Sequence, residues 1–449
     1  MTLRNKALMK NIEQVGYHDL QKRPAFQIVM QKCGEKYYLY CASWRHNGWS
    51  ILDVTDPTNP KMIQFKEGPW INEDCHDGQN TCKIQVADGL MLTAHGTMAG
   101  FLTGCPEGCP AWCGLMVWDV KTDPTDPKLL GTFECPGGQG VHRSFYNGGR
   151  YAYITGCDNG YESFILRIID LADPAHPVEA GRYCVPEQII QGESNLQFGD
   201  HLFKPFVHAV TVKDDIAYLA YSNVGFVLVD VSDKTNPKMI GKLSLNPPFG
   251  GDAAGAPVHS DYPLGDRPFA VVSTEGERSR FFDGKKTEGF GKKIEYQAMN
   301  AMMMIETGDM EHPRMISVFP YPEMPEGYTH GENFNFVDGV RVPFGPHNCF
   351  DQFGTPVYGQ FNNTVFNCYF HAGLRIYDVH DPFVPKEIAY FLPPDPPEML
   401  TDNETHDVMP GAPVAITEDL VVDDRGYIYI STQQDGIYIL KYTGEKPLD

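Results

Sequence analysis

No apolar run in the sequence approaches ~18 residues, so a membrane-spanning helix is not expected. The opening MTLRNKALMKN lacks an apolar h-region, which argues against an export signal. Basic residues are scarce beside acidic ones, 36 Lys and Arg against 58 Asp and Glu. The resulting formal charge of −22 disfavours both nucleic acid and anionic membrane as partners. Twelve cysteines spread over 449 residues lack the density of a disulfide scaffold, and they fit reduced thiols in the cytoplasm. Missing too are a P-loop, a dinucleotide-binding glycine fingerprint and a Gly-x-Ser-x-Gly elbow. Phosphate-cradling and serine-nucleophile chemistry are therefore without support.

What the sequence does contain is repetition. Residues 207–245 hold four short runs rich in β-branched and aromatic residues, separated by turn residues, which reads as an antiparallel meander of strands A to D. One such sheet cannot bury both faces alone. Strand C and its turn recur at 49–54 (WSILDVTDPTNP), 115–120 (LMVWDVKTDPTDP), 166–171 (LRIIDLADPAHP) and 226–231 (FVLVDVSDKTNP). Further copies lie at 301–307 (AMMMIETGDMEHP), 374–379 (LRIYDVHDPFVP) and 437–442 (IYILKY). The aspartate suits a hydrogen bond to the backbone two residues on, and the prolines end the ladder.

This pattern resembles the LVIVD repeat family, and the resemblance implies β-propeller blades. The fold expected is all-β: a single seven-bladed propeller over residues 1–449. Its blades fall near 17–66, 76–133, 142–183, 207–243, 258–319, 346–391 and 406–442. The seventh copy lacks a strand D, and residues 9–16 are expected to supply it and close the ring. A–B and C–D turns read as short and share one face. The long insertions in B–C and D–A connections gather on the other, like a dome over the axis. A ring closed on itself needs no partner, so oligomeric state is not legible.

Seven histidines fall once per blade, near the start of strand A: His18, His76, His142, His208, His259, His347 and His406. His142, His208, His259 and His347 run directly into their strands and form the candidate metal-ligand set. Blade 2 has Cys82 near the equivalent position, and blade 7 has Glu418 or Asp419. His18, His76 and His406 are each followed by aspartate, and His76, His406, His18, Asp77 and Asp407 form the candidate acid–base set. Neutral imidazoles suit a divalent transition metal: Fe, Mn or Zn, with Cu also compatible. The competing reading is that each histidine bonds the backbone of a neighbouring blade.

Other features are weaker. Cys105, Cys109 and Cys113 lack the spacing of a zinc knuckle. Arg278, Arg280, Lys285, Lys286, Lys292 and Lys293 make residues 275–300 locally basic. His46, His95, His330 and His371 fall in connections on the dome face, and His176, His312 and His380 in C–D turns. Together these features point to a metal-dependent enzyme acting on a small organic substrate, with lyase, hydratase or hydrolase chemistry. Two alternatives stand beside it. One is a non-haem oxidoreductase, since the four-histidine set is similar to that of carotenoid cleavage oxygenases. The other is a non-catalytic binding scaffold.

Overall fold

The computed structural model describes residues 4–43, 47–69, 80–96, 112–137, 139–190, 196–198, 201–203, 205–222, 224–245, 258–275, 301–331, 334, 336–337, 340–351, 353–398, 400 and 414–449. Seven four-stranded antiparallel sheets succeed one another along the chain. In blade 4 the strands are Val207–Lys213, Ile216–Tyr221, Gly225–Asp230 and Lys238–Leu243, paired in that order. The first strands of neighbouring blades touch one another, from blade 1 through to blade 5 and again from blade 7 to blade 1, so strand A is the innermost. An apolar cluster with Met304 of blade 5 and Val365 and Tyr377 of blade 6 completes the ring.

Strand C of blade 4 is apolar from Phe226 to Val229 because the blade is covered on both faces. Phe226 and Leu228 pack toward blade 5, while Val227 and Val229 pack toward blade 3. All four are fully buried. Each such side chain contributes roughly 1.5–3 kcal/mol relative to exposure. Five of the runs end in an aspartate that behaves as its turn chemistry requires. Thr55, Lys121, Ala172, Ser232 and His380 donate their backbone N–H to Asp53, Asp119, Asp170, Asp230 and Asp378. In blades 2, 3 and 4 strand D carries a glycine where the next blade's C–D turn presses on it. A Cβ at Gly181 would lie 2.0 Å from the Lys234 carbonyl oxygen, and one at Gly241 would lie 2.2 Å from that of Met310.

Three features depart from the expected plan. Ring closure uses Ile12–His18, which pairs with Gly436–Tyr442, a few residues beyond the segment expected. Just before it, Leu8–Lys10 pairs with Lys386–Leu392 as an extra outer strand on blade 6, so one segment stitches two blades. Blade 1 begins at Ile28 and not near residue 17, because the chain spends residues 12–18 on blade 7.

A further departure concerns the A–B turns, which are short except in blade 6. There strand A is reduced to a bridge between Cys349 and Asn367, and the connection runs from 351 to 363. Met30 of blade 1 donates its N–H to Tyr358 Oη at 2.7 Å. Phe353 packs on Phe145 of blade 3, with ring centroids 5.4 Å apart. Asn362 accepts the Asp266 N–H of blade 5 at 2.9 Å. Reaching blades 1, 3 and 5 at once, this loop forms a floor across the face that bears the A–B turns.

Candidate metal centre

A repeated backbone irregularity places the candidate residues. In strand A of blade 3 the pairing steps from Val141 to Arg143, in blade 4 from Val207 to Ala209, and in blade 7 from Thr417 to Asp419. The residues passed over are His142, His208 and Glu418. Blades 5 and 6 do the same: Ser273 faces both His259 and Ser260, and Cys368 bonds both His347 and Asn348. A β-bulge of this kind re-aims the extra side chain. It also resolves the choice in blade 7, where Glu418 holds the histidine position.

The four histidines are brought together at the axis, and all are buried. Ring centroids follow one another at 4.3 Å from His142 to His208, 4.0 Å to His259 and 4.7 Å to His347. His208 Nδ1 donates to the His259 carbonyl at 2.7 Å, and His347 Nδ1 donates to the Glu418 carbonyl at 2.8 Å. Each thus does bond the next blade's backbone, and the same bond fixes which nitrogen carries the proton. His259 Nδ1 lies 2.8 Å from Ser260 Oγ. On the other side of the rings, His142 Nε2 and His208 Nε2 approach to 2.8 Å. Glu275 Oε2 is 3.2 Å from His259 Nε2, and its Oε1 is 3.9 Å from His347 Nε2. One donor atom each from His208, His259 and Glu275 lies within 4.8 Å of the others.

The residue after each bulge forms a second tier: Lys83, Arg143, Ala209, Ser260, Asn348 and Asp419. Four buried carboxyl groups (Glu275, Glu418, Asp261, Asp419) face two buried cations (Lys83, Arg143). Burial pushes the Asp261 carboxyl well above the usual range. It raises Asp419 to about 7, against the Ile28 N–H that donates to that carboxyl. Burial first, then His208 and His347, hold the His259 imidazole well below its ordinary value, so the ring is neutral.

The LVIVD repeat family model matches residues 36–65, 148–185 and 207–244. The chain folds as a seven-bladed β-propeller and carries LVIVD repeats. No curated protein sequence matches it. Among solved structures, the Cps50 (Swd1) β-propeller domain of Myceliophteria thermophila is similar at 9% identity and TM-score 0.51, with 97% of this chain and 100% of that one covered. A hypothetical selenium-binding protein from Sulfolobus tokodaii is similar at 11% identity and TM-score 0.49, with coverage of 99% and 92%. A functionally unknown protein from Desulfotomaculum acetoxidans gives 11%, 0.45, 80% and 86%.

Other expected residues of this LVIVD-repeat propeller lie elsewhere. His18 does not share the hub: it ends the outermost strand of blade 7, where its Nδ1 accepts the Leu20 N–H at 2.9 Å. It fell outside because it belongs to the closing strand and not to a strand A. His76, Asp77, His406 and Asp407 lie outside the described residues, as do Cys82's side chain, His46, Cys105, Cys109 and the basic residues of 276–300. His95 and His371 are buried and neutral, held by burial at about 3. His330 pairs with Asp395, which also accepts the Arg4 N–H. His176, His312 and His380 cap their turns beside Asp173, Asp309 and Asp378. Glu275 escaped sequence reading because it belongs to an insertion with no counterpart in the repeat. A pocket of about 600 Å³ opens on the floor side, lined by Tyr153, Tyr262, Phe353 and Lys213 among others, and includes no hub histidine.

Proposed function

We propose that this propeller is a metal-dependent enzyme whose centre is a divalent transition ion on the axis. His142, His208, His259 and His347 would hold it, with Glu275 as a further donor. One observation carries the reading: imidazoles from four successive blades converge, while His208 and His347 have their outer nitrogens tied to backbone carbonyls. Such ties orient a ring and leave Nε2 for the ion. The 2.8 Å approach of His142 Nε2 to His208 Nε2 brings two of these nitrogens close enough to be shared by one ion.

Bound there, the ion supplies Lewis acidity and an activated water for elimination, hydration or hydrolysis of a small organic substrate. The chain's own groups do the rest. The apolar wall of Phe370, stacked on His347 at 4.5 Å, and Phe164, 5.4 Å from His142, restrict water at the rings. Glu275, beside His259 and His347, is placed to take or return a proton. A second reading, oxidoreductase chemistry at the same centre, is favoured by the donor count. Four imidazoles and a carboxylate exceed the usual zinc donor set and would suit iron.

Elemental analysis of the purified protein, beside His142→Ala, His208→Ala and His347→Ala, tests both. About one ion per chain is expected, lost in the variants. Metal content unchanged in all three rejects the ligand set, and an ion-free wild type favours a binding scaffold. Iron with oxygen-dependent turnover selects the second reading, and zinc or manganese selects the first.

A further inference from the structure

Resting on the hub as a metal centre, we propose that Arg143 is a positioning residue that fixes two of the four imidazoles from behind, by one relay to each. Arg143 follows His142 and is buried. Its guanidinium crosses from blade 3 to blades 5 and 6. Nη1 lies 3.3 Å from Ser260 Oγ and 3.8 Å from Asp351 Oδ2, and Nη2 donates to Asn348 Oδ1. Ser260 Oγ in turn is 2.8 Å from His259 Nδ1. Asn348 Nδ2 donates at 2.8 Å to the Glu418 carbonyl, the same oxygen that His347 Nδ1 bonds.

An imidazole turns easily about its last torsion, so the partner of its outer nitrogen decides where the inner one points. The Asn348 amide can face Glu418 with its NH2 only while a donor engages its oxygen, and Arg143 is that donor. Ser260 Oγ, held by the guanidinium, can in turn accept the His259 Nδ1 proton, which leaves Nε2 without one. A lysine would not do, because one ammonium lacks the planar fork that reaches acceptors on two blades. The arrangement contains its own control. Blade 4 has Ala209 at the second-tier position, and His208 is tied directly to the His259 carbonyl. His208 should not feel Arg143.

The test uses the full chain with Co²⁺ as probe, and compares Arg143→Met, Arg143→Lys, Ser260→Ala and Asn348→Ala with wild type. Co²⁺ affinity is read from ligand-field absorption. Ring states are read from the ¹⁵N resonances of histidine-labelled, metal-free protein. Arg143→Met is expected to weaken Co²⁺ binding about 10- to 100-fold, and Arg143→Lys is not expected to restore it. In metal-free protein the His259 and His347 resonances should move and those of His208 should stay. Ser260→Ala should move His259 alone, and Asn348→Ala His347 alone. Folded Arg143→Met with unmoved rings overturns the proposal, whether or not Co²⁺ affinity changes. Should that variant not fold, unmoved rings in both single-relay variants overturn it equally. A wild type that takes up no Co²⁺ sinks the metal reading of the hub, while the ring shifts still decide the part played by Arg143.

Discussion

Replacing His95 by phenylalanine should make the fold less sensitive to acid, by an amount that follows from its surroundings. His95 is fully buried, with Nε2 2.8 Å from Thr93 Oγ1, and that hydroxyl accepts the Trp118 indole N–H at 2.9 Å. The Thr93 proton is therefore directed at Nε2 and the ring is neutral. Burial holds its pKa at about 3, against 6.5 for a free imidazole. The folded value lies below the unfolded one, so as pH falls the unfolded chain takes up this proton first. Stability from this source is complete above pH 6.5 and is lost below it, until about pH 3. The slope is about 1.4 kcal/mol per pH unit, or about 2 kcal/mol at pH 5. With an unfolding entropy of about 2.1 cal/mol/K per residue, a chain of 449 residues converts that to about 2 °C in Tm. Phenylalanine keeps the ring volume and the contact with Trp112, now 5.9 Å between centroids. Melting both proteins at pH 7.5 and pH 5.0 should show the variant losing about 2 °C less. Equal losses would mean that the native imidazole already carries or shares its proton, and the reasoning would fail.

Three further outcomes can be checked. Glu275→Gln should reduce the thermal stabilisation that added ion gives, which is about 2.7 kcal/mol at 100 times Kd; an undiminished gain would remove Glu275 from the donor set. Gly181→Ala drives a Cβ to 2.0 Å from the Lys234 carbonyl oxygen of the next blade, and a loss of about 1–3 kcal/mol by denaturant unfolding is expected. Removing residues 1–18 bares the edge of Gly436–Tyr442, and light scattering should show concentration-dependent association. A monodisperse truncated chain would show that the closing strand is dispensable.

Much of this architecture was legible because it is repeated. An apolar run, ending in aspartate in five blades, marks strand C, and its recurrence counts the blades. Four of the histidines were legible for the same reason: an equivalent position in blades 3 to 6 brings His142, His208, His259 and His347 together. Reading failed where a blade departs from its copies. His18 looked like the axial series, but the chain spends that stretch on the rim of blade 7. The floor formed by 351–363 was missed because blade 6 keeps only a bridge for strand A, so a lengthened A–B turn was hidden inside a longer stretch. Glu275 has no repeat partner to flag it. The bulge that separates Glu418 from Asp419 is a matter of backbone pairing, which side-chain pattern does not record.

The stitch between Leu8–Lys10, Ile12–His18 and the last two blades has a consequence for how the protein is made. The closing strand leaves the ribosome before blade 1, yet its partner Gly436–Tyr442 follows roughly 400 residues later. At about 5–20 residues per second, that is a wait of about 20–80 s. Through that interval six blades can stack, but the nascent arc keeps an uncovered apolar face at each end and an unpaired closing strand. Slow translation or a crowded polysome would therefore favour exchange of the closing strand between neighbouring chains, giving linked dimers with otherwise native blades.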